Sequence, residues 1–153
     1  MTDLPVPSAS APSAAVRHCV VLLYSDDRQV RERMRLAIGA RPASDLSVRF
    51  VEASSYAETV GWVDSGVDGS DVDLLVLDGE ATPGGGLGIA RQLRDEVPDA
   101  PPTVVVIARA ADRWLAAYAR VDATLMNPLD PIVAGRTVAA MLRQRAAAAA
   151  SYR

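Results

Sequence analysis

Lysine is missing from this chain of 153 residues: all 16 of its basic side chains are arginine. A phosphate-binding P-loop needs a lysine followed by serine or threonine, so the glycines at 84–86 do not indicate one. Cysteine occurs once, at Cys19, which excludes an intramolecular disulfide, and its place in an apolar run predicts a buried, unreactive thiol. Histidine also occurs once, at His18, which leaves little material for a histidine metal site or a histidine-based triad.

Long apolar runs and a strong net charge are missing as well. No apolar run approaches the roughly 20 residues that cross a bilayer. Segment 2–15 has neither the basic region nor the apolar core of a signal peptide. A net charge of −3 gives no overall attraction to nucleic acid or to an anionic membrane. We therefore expect a cytoplasmic protein that binds neither nucleic acid nor membranes.

Composition divides the chain into a leader, one domain and a short tail. Residues 1–16 carry prolines among small side chains and predict a disordered leader. Residues 17–145 contain the periodic apolar segments and are long enough to bury one core. Because an alanine run begins at 146, residues 146–153 are expected to form a helical or frayed C-terminal tail.

Five apolar segments alternate with five amphipathic ones. Strands are predicted at 19–24, 48–53, 73–78, 103–107 and 124–126, with a polar loop at 64–71 before the third. A helix is predicted after each strand, and the last one begins at Asp130 and Pro131. Its predicted buried stripe consists of Ile132, Gly135, Val138, Ala139 and Leu142. This alternation predicts an α/β fold in which helices cover both faces of a parallel sheet.

Three aspartates mark the edge of that sheet where a site is expected. Asp26 and Asp27 follow the first strand, and Asp78 ends the third. In a flavodoxin-like (βα)5 doubly wound sheet of order 2-1-3-4-5 these strands are neighbours, and sites form beyond the carboxyl ends of the strands. The three carboxylates are therefore expected to converge on one pocket.

Neighbouring carboxylates repel one another unless a cation lies between them. A hard divalent cation such as Mg²⁺ takes oxygen ligands and relieves the repulsion. One carboxylate can then act as a nucleophile towards a phosphoryl donor, while the metal neutralises the phosphoryl oxygens. The alternative is structural, with the three aspartates serving only to cap helices and end strands.

These residues resemble the response-regulator receiver domain of bacterial two-component signalling, over about residues 16–145. The acidic pair falls on Asp26 and Asp27, the phospho-acceptor position falls on Asp78, and residues 78–87 match the family's loop in length. The ends of the fourth and fifth strands match the family in part. Where the family usually has Thr-Ala-Arg at the end of strand four, this chain has Ile107-Ala108-Arg109. Where the family has Lys-Pro at the end of strand five, this chain has Asn127-Pro128, and Asp130 matches an acidic residue that is often found two places further on.

The chain departs from this family at the positions that respond to phosphorylation. The hydroxyl that hydrogen-bonds the phosphoryl group is replaced by Ile107, or by Ala108 if the alignment shifts by one, and neither side chain has a hydroxyl. Asn127 replaces the lysine that pairs with the phosphoryl group, so hydrogen-bond donors remain but the charge does not. Thr124 replaces the switch aromatic residue, and the loop proline moves to Pro83.

The resemblance therefore implies a receiver whose phosphorylation switching is impaired or absent. A hydrogen bond to a charged group contributes roughly 1.5–3 kcal/mol, so losing two such partners disfavours the phosphorylated state. The resemblance also implies weak Mg²⁺ binding by Asp26, Asp27 and Asp78, with Glu80 adding negative charge two residues after the acceptor.

The last helix takes up nearly all the remaining chain, so we expect a stand-alone receiver that acts as a signalling protein-interaction module. The family's usual interaction surface consists of helix four, strand five and helix five. Through it the chain would form a homodimer or bind a histidine kinase or an effector. Trp114 and Tyr118 belong to helix four, where they either pack in the core or anchor this interface.

Two other functions compete with this one. The first is a functional phospho-receiver that tolerates its substitutions and is phosphorylated on Asp78 by a histidine kinase. The second is an enzyme, since segment 78–82 loosely resembles the Asp-x-Asp-x-Thr loop of haloacid-dehalogenase-like phosphatases. That loop normally follows the first strand, however, and that family also uses a lysine. We expect no enzymatic activity, which an assay on a generic phosphoester checks.

Overall fold

The computed structural model describes residues 15–82 and 85–151. Residues 1–14 of the predicted leader lie outside the described residues, as do the last two residues of the predicted tail. Pro83 and Gly84, in the loop after Asp78, also lie outside them.

Five strands and five α-helices alternate along the described chain. The strands are β1 (Arg17–Tyr24), β2 (Leu46–Ala53), β3 (Leu74–Asp78), β4 (Thr103–Ile107) and β5 (Ala123–Met126). The helices are α1 (Arg28–Ile38), α2 (Tyr56–Ser65), α3 (Gly86–Glu96), α4 (Arg113–Tyr118) and α5 (Pro131–Ser151). A short 3-10 turn, Ala110–Asp112, leads into α4.

All five strands are parallel and lie in the order β2-β1-β3-β4-β5. This order confirms the predicted flavodoxin-like doubly wound fold. The register pairs Tyr24 with Leu77 and Asp78 with Val106, so β1, β3 and β4 end at nearly the same level. The segments that follow these strands therefore share one edge of the sheet.

Alternate residues along the strands enter two apolar cores, one on each face of the sheet. On one face Val21 of β1 packs with Met34 of α1 and Leu142 of α5. On the other face Leu22 packs with Leu93 of α3. This period of two is expected for strands buried on both faces, and each fully buried large aliphatic side chain contributes roughly 1.5–3 kcal/mol.

The single cysteine is part of this core. Cys19 in β1 is 2% exposed, which confirms that the thiol is buried. Burial raises the pKa of the Cys19 thiol, which keeps it in the less reactive protonated form at neutral pH.

Helix α2 ends later than the sequence indicates. The polar loop is predicted from residue 64, but α2 includes Ser65. It ends at Gly66, which has a φ of 69°, a left-handed backbone conformation that glycine adopts without steric strain. The N–H of Gly66 donates to the carbonyl oxygen of Trp62 and so closes the last turn. The Trp62 side chain is half-buried and donates its indole N–H to the carbonyl oxygen of Glu52 at 3.1 Å.

One residue of the stripe predicted for α5 is misplaced. Ile132 is 65% exposed, so its assignment to the core is wrong. Successive helix residues differ by about 100°, which puts Ile132 at the edge of the buried face of α5, in line with Ala139 but far round the helix from Ala134 and Met141. It also lies in the first turn of α5, where the side chain is open to solvent. The other four residues of the predicted stripe are buried: Gly135, Val138, Ala139 and Leu142.

Helix α4 is short and presents its aromatic residues to solvent. It has six residues, of which Ala116 is buried, whereas Trp114 is 67% exposed and Tyr118 is 66% exposed. Of the two roles considered for these aromatic side chains, core packing is therefore excluded.

None of the helices within residues 15–82 and 85–151 is both long and apolar enough to cross a lipid bilayer.

Candidate functional site

Asp78 lies at the carboxyl end of β3, at the centre of the edge described above. Every residue of β3 is buried, and Asp78 is only 5% exposed. The chain turns immediately after it, because the N–H of Gly79 donates to the carbonyl oxygen of Val106 at 2.8 Å. A Cβ atom at Gly79 would lie 2.6 Å from that oxygen, so glycine is required for the two segments to approach so closely.

Both carboxylate oxygens of Asp78 accept hydrogen bonds from neutral donors. The hydroxyl of Ser25 donates to Oδ2 at 2.8 Å, and the backbone N–H of Glu80 donates to Oδ1 at 2.9 Å. Ser25 is completely buried. The sequence prediction missed it, although its place between an apolar strand and two aspartates was the available signal. Ser25, rather than either neighbouring aspartate, therefore makes the direct contact with Asp78 from the β1 side.

Asp26 turns towards the loop after β3. Its Oδ1 accepts the backbone N–H of Thr82 at 3.1 Å, and its Oδ2 accepts the Thr82 hydroxyl at 3.0 Å. These two bonds, led by the one from the backbone, lower the pKa of the Asp26 carboxyl below its ordinary value. Asp26 therefore connects the loop after β1 to the loop after β3.

Asp27 caps the helix that follows. It is the N-cap residue of α1, and its Oδ1 accepts the backbone N–H of Gln29 at 2.8 Å. The structural alternative considered for the aspartates thus holds for Asp27. The nearby Arg31 donates to the carbonyl oxygen of Ser25 at 2.6 Å and pairs with Glu52 at 3.1 Å, so this cation is held by other groups.

The carboxylates expected to share a cation do not form a ligand group in this arrangement. Their oxygen donors suit a hard ion such as Mg²⁺. Within the described part of the chain, however, no three acidic, histidine or cysteine side chains are placed to hold a metal ion. The physical reason is that Asp26 is bonded to Thr82 and Asp27 to the first turn of α1, which leaves Asp78 and Glu80. Weak Mg²⁺ binding by the four residues stays a prediction for titration.

The β4 side of the edge is apolar. Ile107 ends β4, is 1% exposed and belongs to the same core as Leu77 and Leu93. The next residue, Ala108, is exposed. Neither isoleucine nor alanine has a hydroxyl, so neither candidate position can donate one to Asp78. Thr124 lies within β5, paired with Val105 and partly buried.

On the β5 side, Asn127 is exposed and its backbone N–H donates to the carbonyl oxygen of Ile107 at 2.9 Å. Arg109 lies close in sequence, but it is on the surface and pairs with Asp112 at 3.5 Å. Across residues 15–82 and 85–151, no ion pair joins an arginine to Asp78 or Glu80.

A cavity of about 630 Å³ opens beside Asp78. It extends between α1 and the segment that connects β5 to α5. Its polar lining comes from Arg33, Asp78, Glu80 and Asn127, and its apolar lining from Val30, Met34, Leu36, Ala37, Val106, Pro128, Leu129 and Pro131.

A doubly wound parallel sheet of this order, with a buried aspartate at the end of its third strand, is the arrangement that the resemblance to receiver domains predicts. Solved structures agree with that fold. A CheY-like response regulator receiver domain protein from Methanospirillum hungatei JF-1 has a TM-score of 0.63 at 14% identity, covering 84% of this chain and 97% of that one. A LuxR-family two-component response regulator from Aurantimonas sp. SI85-9A1 has a TM-score of 0.67 at 22% identity, covering 84% and 88%.

Closer relatives place the chain in a family. Response regulatory proteins from two strains of Mycobacterium tuberculosis, CDC 1551 / Oshkosh and ATCC 25618 / H37Rv, are each 45% identical to it over 124 residues. The match covers 80% of this chain and 90% of each relative. No protein-family model matches the chain. The chain belongs to the response regulatory proteins of two-component signalling, and the resemblance to receiver domains is confirmed.

Proposed function

We propose that this receiver acts as a signalling protein-interaction module whose phosphorylation switching is impaired or absent. The observation that carries the proposal is the position of Ile107. A side chain that is 1% exposed in the apolar core, together with Leu77, has no hydroxyl to offer a phosphoryl group on Asp78. The end of β4 is thereby built for packing rather than for contact with a phosphoryl group.

Electrostatics supports the same conclusion. A phosphoryl group on Asp78 would carry about 1.5 to 2 negative charges in place of the single charge of the carboxylate, next to Glu80, which lines the same cavity. The chain has no lysine, and none of the described arginines pairs with either carboxylate. Losing two charge-assisted hydrogen bonds of roughly 1.5–3 kcal/mol each lowers the population of the phosphorylated state by a factor of at least about 10².

A partner surface is available on α4. Trp114 and Tyr118 are four residues apart and both are largely exposed, which suits aromatic anchors of a protein interface. The guanidinium of Arg91 on α3 lies 4.8 Å from the centre of the Tyr118 ring, so Tyr118 is on the α3 side of α4. We therefore propose that a homodimer partner, a histidine kinase or an effector contacts α4 from the α3 side, in addition to the expected surface of α4, β5 and α5.

The alternative, a functional phospho-receiver, is favoured by Asp78 itself. That residue has the burial and the strand-end position of a phospho-acceptor. One experiment separates the two functions. In a functional phospho-receiver, the residues at the ends of β4 and β5 change their environment when Asp78 carries a phosphoryl group, whereas in the impaired receiver they do not.

The experiment is an amide NMR titration with Mg²⁺ and then with beryllofluoride, which mimics a phosphoryl group on aspartate. We expect at most local shifts at Ser25, Asp26 and residues 78–82. Shifts that spread to residues 108–130 in the natural sequence would establish the phospho-receiver and refute the impaired switch.

A double variant, Ile107→Thr with Asn127→Lys, restores the missing hydroxyl and ammonium groups. We expect beryllofluoride to produce spreading shifts in it that the natural chain lacks. Adding Asp78→Asn to the double variant is the matched control, since it removes the acceptor and should abolish those shifts. Circular dichroism of each variant verifies that the exchange at the buried position leaves the chain folded.

A further inference from the structure

The cavity beside Asp78 has the dimensions of a small-molecule site. Its volume of about 630 Å³ lies within the range of roughly 300–1,000 Å³ that is usual for ligand pockets. It also has the composition of one, because a mainly apolar wall ends in a few polar groups.

The polar end of the cavity carries two carboxylates, and neither forms an ion pair with an arginine of the described residues. Asp78 is 95% shielded from solvent, yet its two hydrogen bonds come from the neutral hydroxyl of Ser25 and the neutral N–H of Glu80. Glu80 adds a second carboxylate to the same lining. No described arginine forms an ion pair with either, and the sequence has no lysine to supply. A buried carboxylate favours an opposite charge within about 4–6 Å, so this end selects a cation.

The apolar wall of the cavity favours a ligand in which the cationic group is attached to an apolar portion. Val30, Met34 and Ala37 of α1 face the cavity on one side, and Leu129 and Pro131 face it on the other. An inorganic cation would leave this wall unused. Arg33 also lines the cavity, so the two carboxylates of the lining exceed its single cation by one charge. The fitting ligand therefore has one cationic group and an otherwise apolar body.

We infer that this cavity binds a small amphipathic amine, with its ammonium group at Asp78 and Glu80 and its apolar body against α1 and residues 129–131. The inference rests on the proposed function in one respect: Asp78 must be free of a phosphoryl group to accept the ammonium group. The receiver would then respond to a ligand at the site where phosphorylation is disfavoured.

Three probes with one scaffold test the inference: 4-phenylbutylamine, the neutral 4-phenylbutanol and the anionic 4-phenylbutyrate. Amide NMR titrations of the full chain report binding at Val30, Met34 and Asn127. We expect saturable shifts with the amine and at least about tenfold weaker binding of the alcohol, because the alcohol can donate a hydrogen bond to the carboxylate but carries no opposite charge. Equal affinity for amine and alcohol, stronger binding of the butyrate, or no shift with the amine would overturn the inference.

Variants connect the selectivity to Asp78. Asp78→Asn keeps the shape but removes the charge, so the amine should lose its advantage over the alcohol. The amide oxygen can still accept the N–H of Glu80, while the bond to Ser25 must reverse, with the amide NH2 donating to the hydroxyl oxygen. Asp95→Asn is the matched control: it removes an exposed carboxylate of α3 that does not line the cavity, and it should leave the preference unchanged. Ala37→Phe fills the apolar part and should weaken all three probes. An amine preference that survives Asp78→Asn would refute the assigned orientation.

A fourth probe distinguishes the possible sources of the amine. Nα-acetyl-lysine amide presents a lysine side chain, and binding tighter than that of 4-phenylbutylamine would replace the small molecule by a partner protein's lysine as occupant. The amine titration and the beryllofluoride titration fail independently. Spreading beryllofluoride shifts refute the impaired switch, whereas absent amine shifts refute the ligand site alone.

Discussion

The two halves of the sheet edge have different chemistry. On the β1 and β3 side, polar groups bond across the edge, with Ser25 contacting Asp78 and Thr82 contacting Asp26. On the β4 and β5 side, Ile107 is part of the core, and only backbone atoms connect it to Asn127. One half thus presents a buried carboxylate, while the other half presents a buried aliphatic side chain and an uncharged amide. Under the proposed function, the acceptor and the response to it are separated within one fold.

The difference also shows where each half obtains its stability. The polar half depends on hydrogen bonds to buried or bridging carboxylates, whereas the apolar half depends on packing. Substitutions on the two sides should therefore have different magnitudes and different dependences on pH.

The largest effect is expected on the apolar side. Ile107→Ala should lower the free energy of unfolding by about 2–5 kcal/mol, because it removes fully buried atoms and leaves a cavity in the core. Urea denaturation measures the change. Ile107→Val serves as the graded control, with an expected loss of about 0.5–1.5 kcal/mol. A loss below that of the valine variant would show that this position is not packed as core.

A smaller effect is expected on the polar side. Ser25→Ala should lower the free energy of unfolding by about 1.5–3 kcal/mol, because Oδ2 of the buried Asp78 loses its hydroxyl donor. The N–H of Asp27 also loses its bond to the Ser25 hydroxyl. The control is Ser70→Ala at an exposed turn residue, which should stay within about 0.5 kcal/mol of the natural chain. If both serine variants had equal stability, the contact with Asp78 would contribute nothing.

The smallest effect concerns the pKa of Asp26. Thr82→Val removes the hydroxyl donor and keeps the backbone N–H, so the lowered pKa of Asp26 should rise towards its ordinary value. Since the folded-state pKa lies below the unfolded one, the stabilisation is present above the unfolded pKa and is lost as the pH falls through the folded pKa. Carbon-detected NMR titration of the Asp26 carboxyl measures the shift.

The control for that titration is Thr82→Ser, which keeps the hydroxyl and should keep the pKa of Asp26 low. An unchanged or further lowered pKa of Asp26 in the valine variant would contradict the contribution of the Thr82 hydroxyl.

The fold was predictable from the sequence because each strand is a short apolar run ended by polar residues. Asp78 was predictable for the same reason, as the last residue of the most apolar strand. The absence of a hydroxyl at the end of β4 was also visible, since neither Ile107 nor Ala108 carries one.

Two kinds of feature could not be predicted from the sequence. They are the orientation of individual side chains and the direction in which the buried face of a helix points. Asp26 and Asp27 are adjacent, yet one bonds a distant loop and the other caps α1, and no spacing rule predicts which. The contact of Ser25 with Asp78 arises only when β1 and β3 are side by side. Ile132 was assigned to the core because its spacing fits a stripe, but the direction of that stripe is set by packing against α1 and the sheet.

The exposure of Trp114 gives the molecule a built-in optical reporter. The chain has two tryptophans, and the other, Trp62, is half-buried and hydrogen-bonded to a backbone carbonyl group. Emission from Trp114 should lie at longer wavelength and be quenched readily by iodide, while Trp62 should be shielded. A Trp62→Phe variant would leave one fluorophore on α4, whose colour and quenching report directly when another molecule covers that helix.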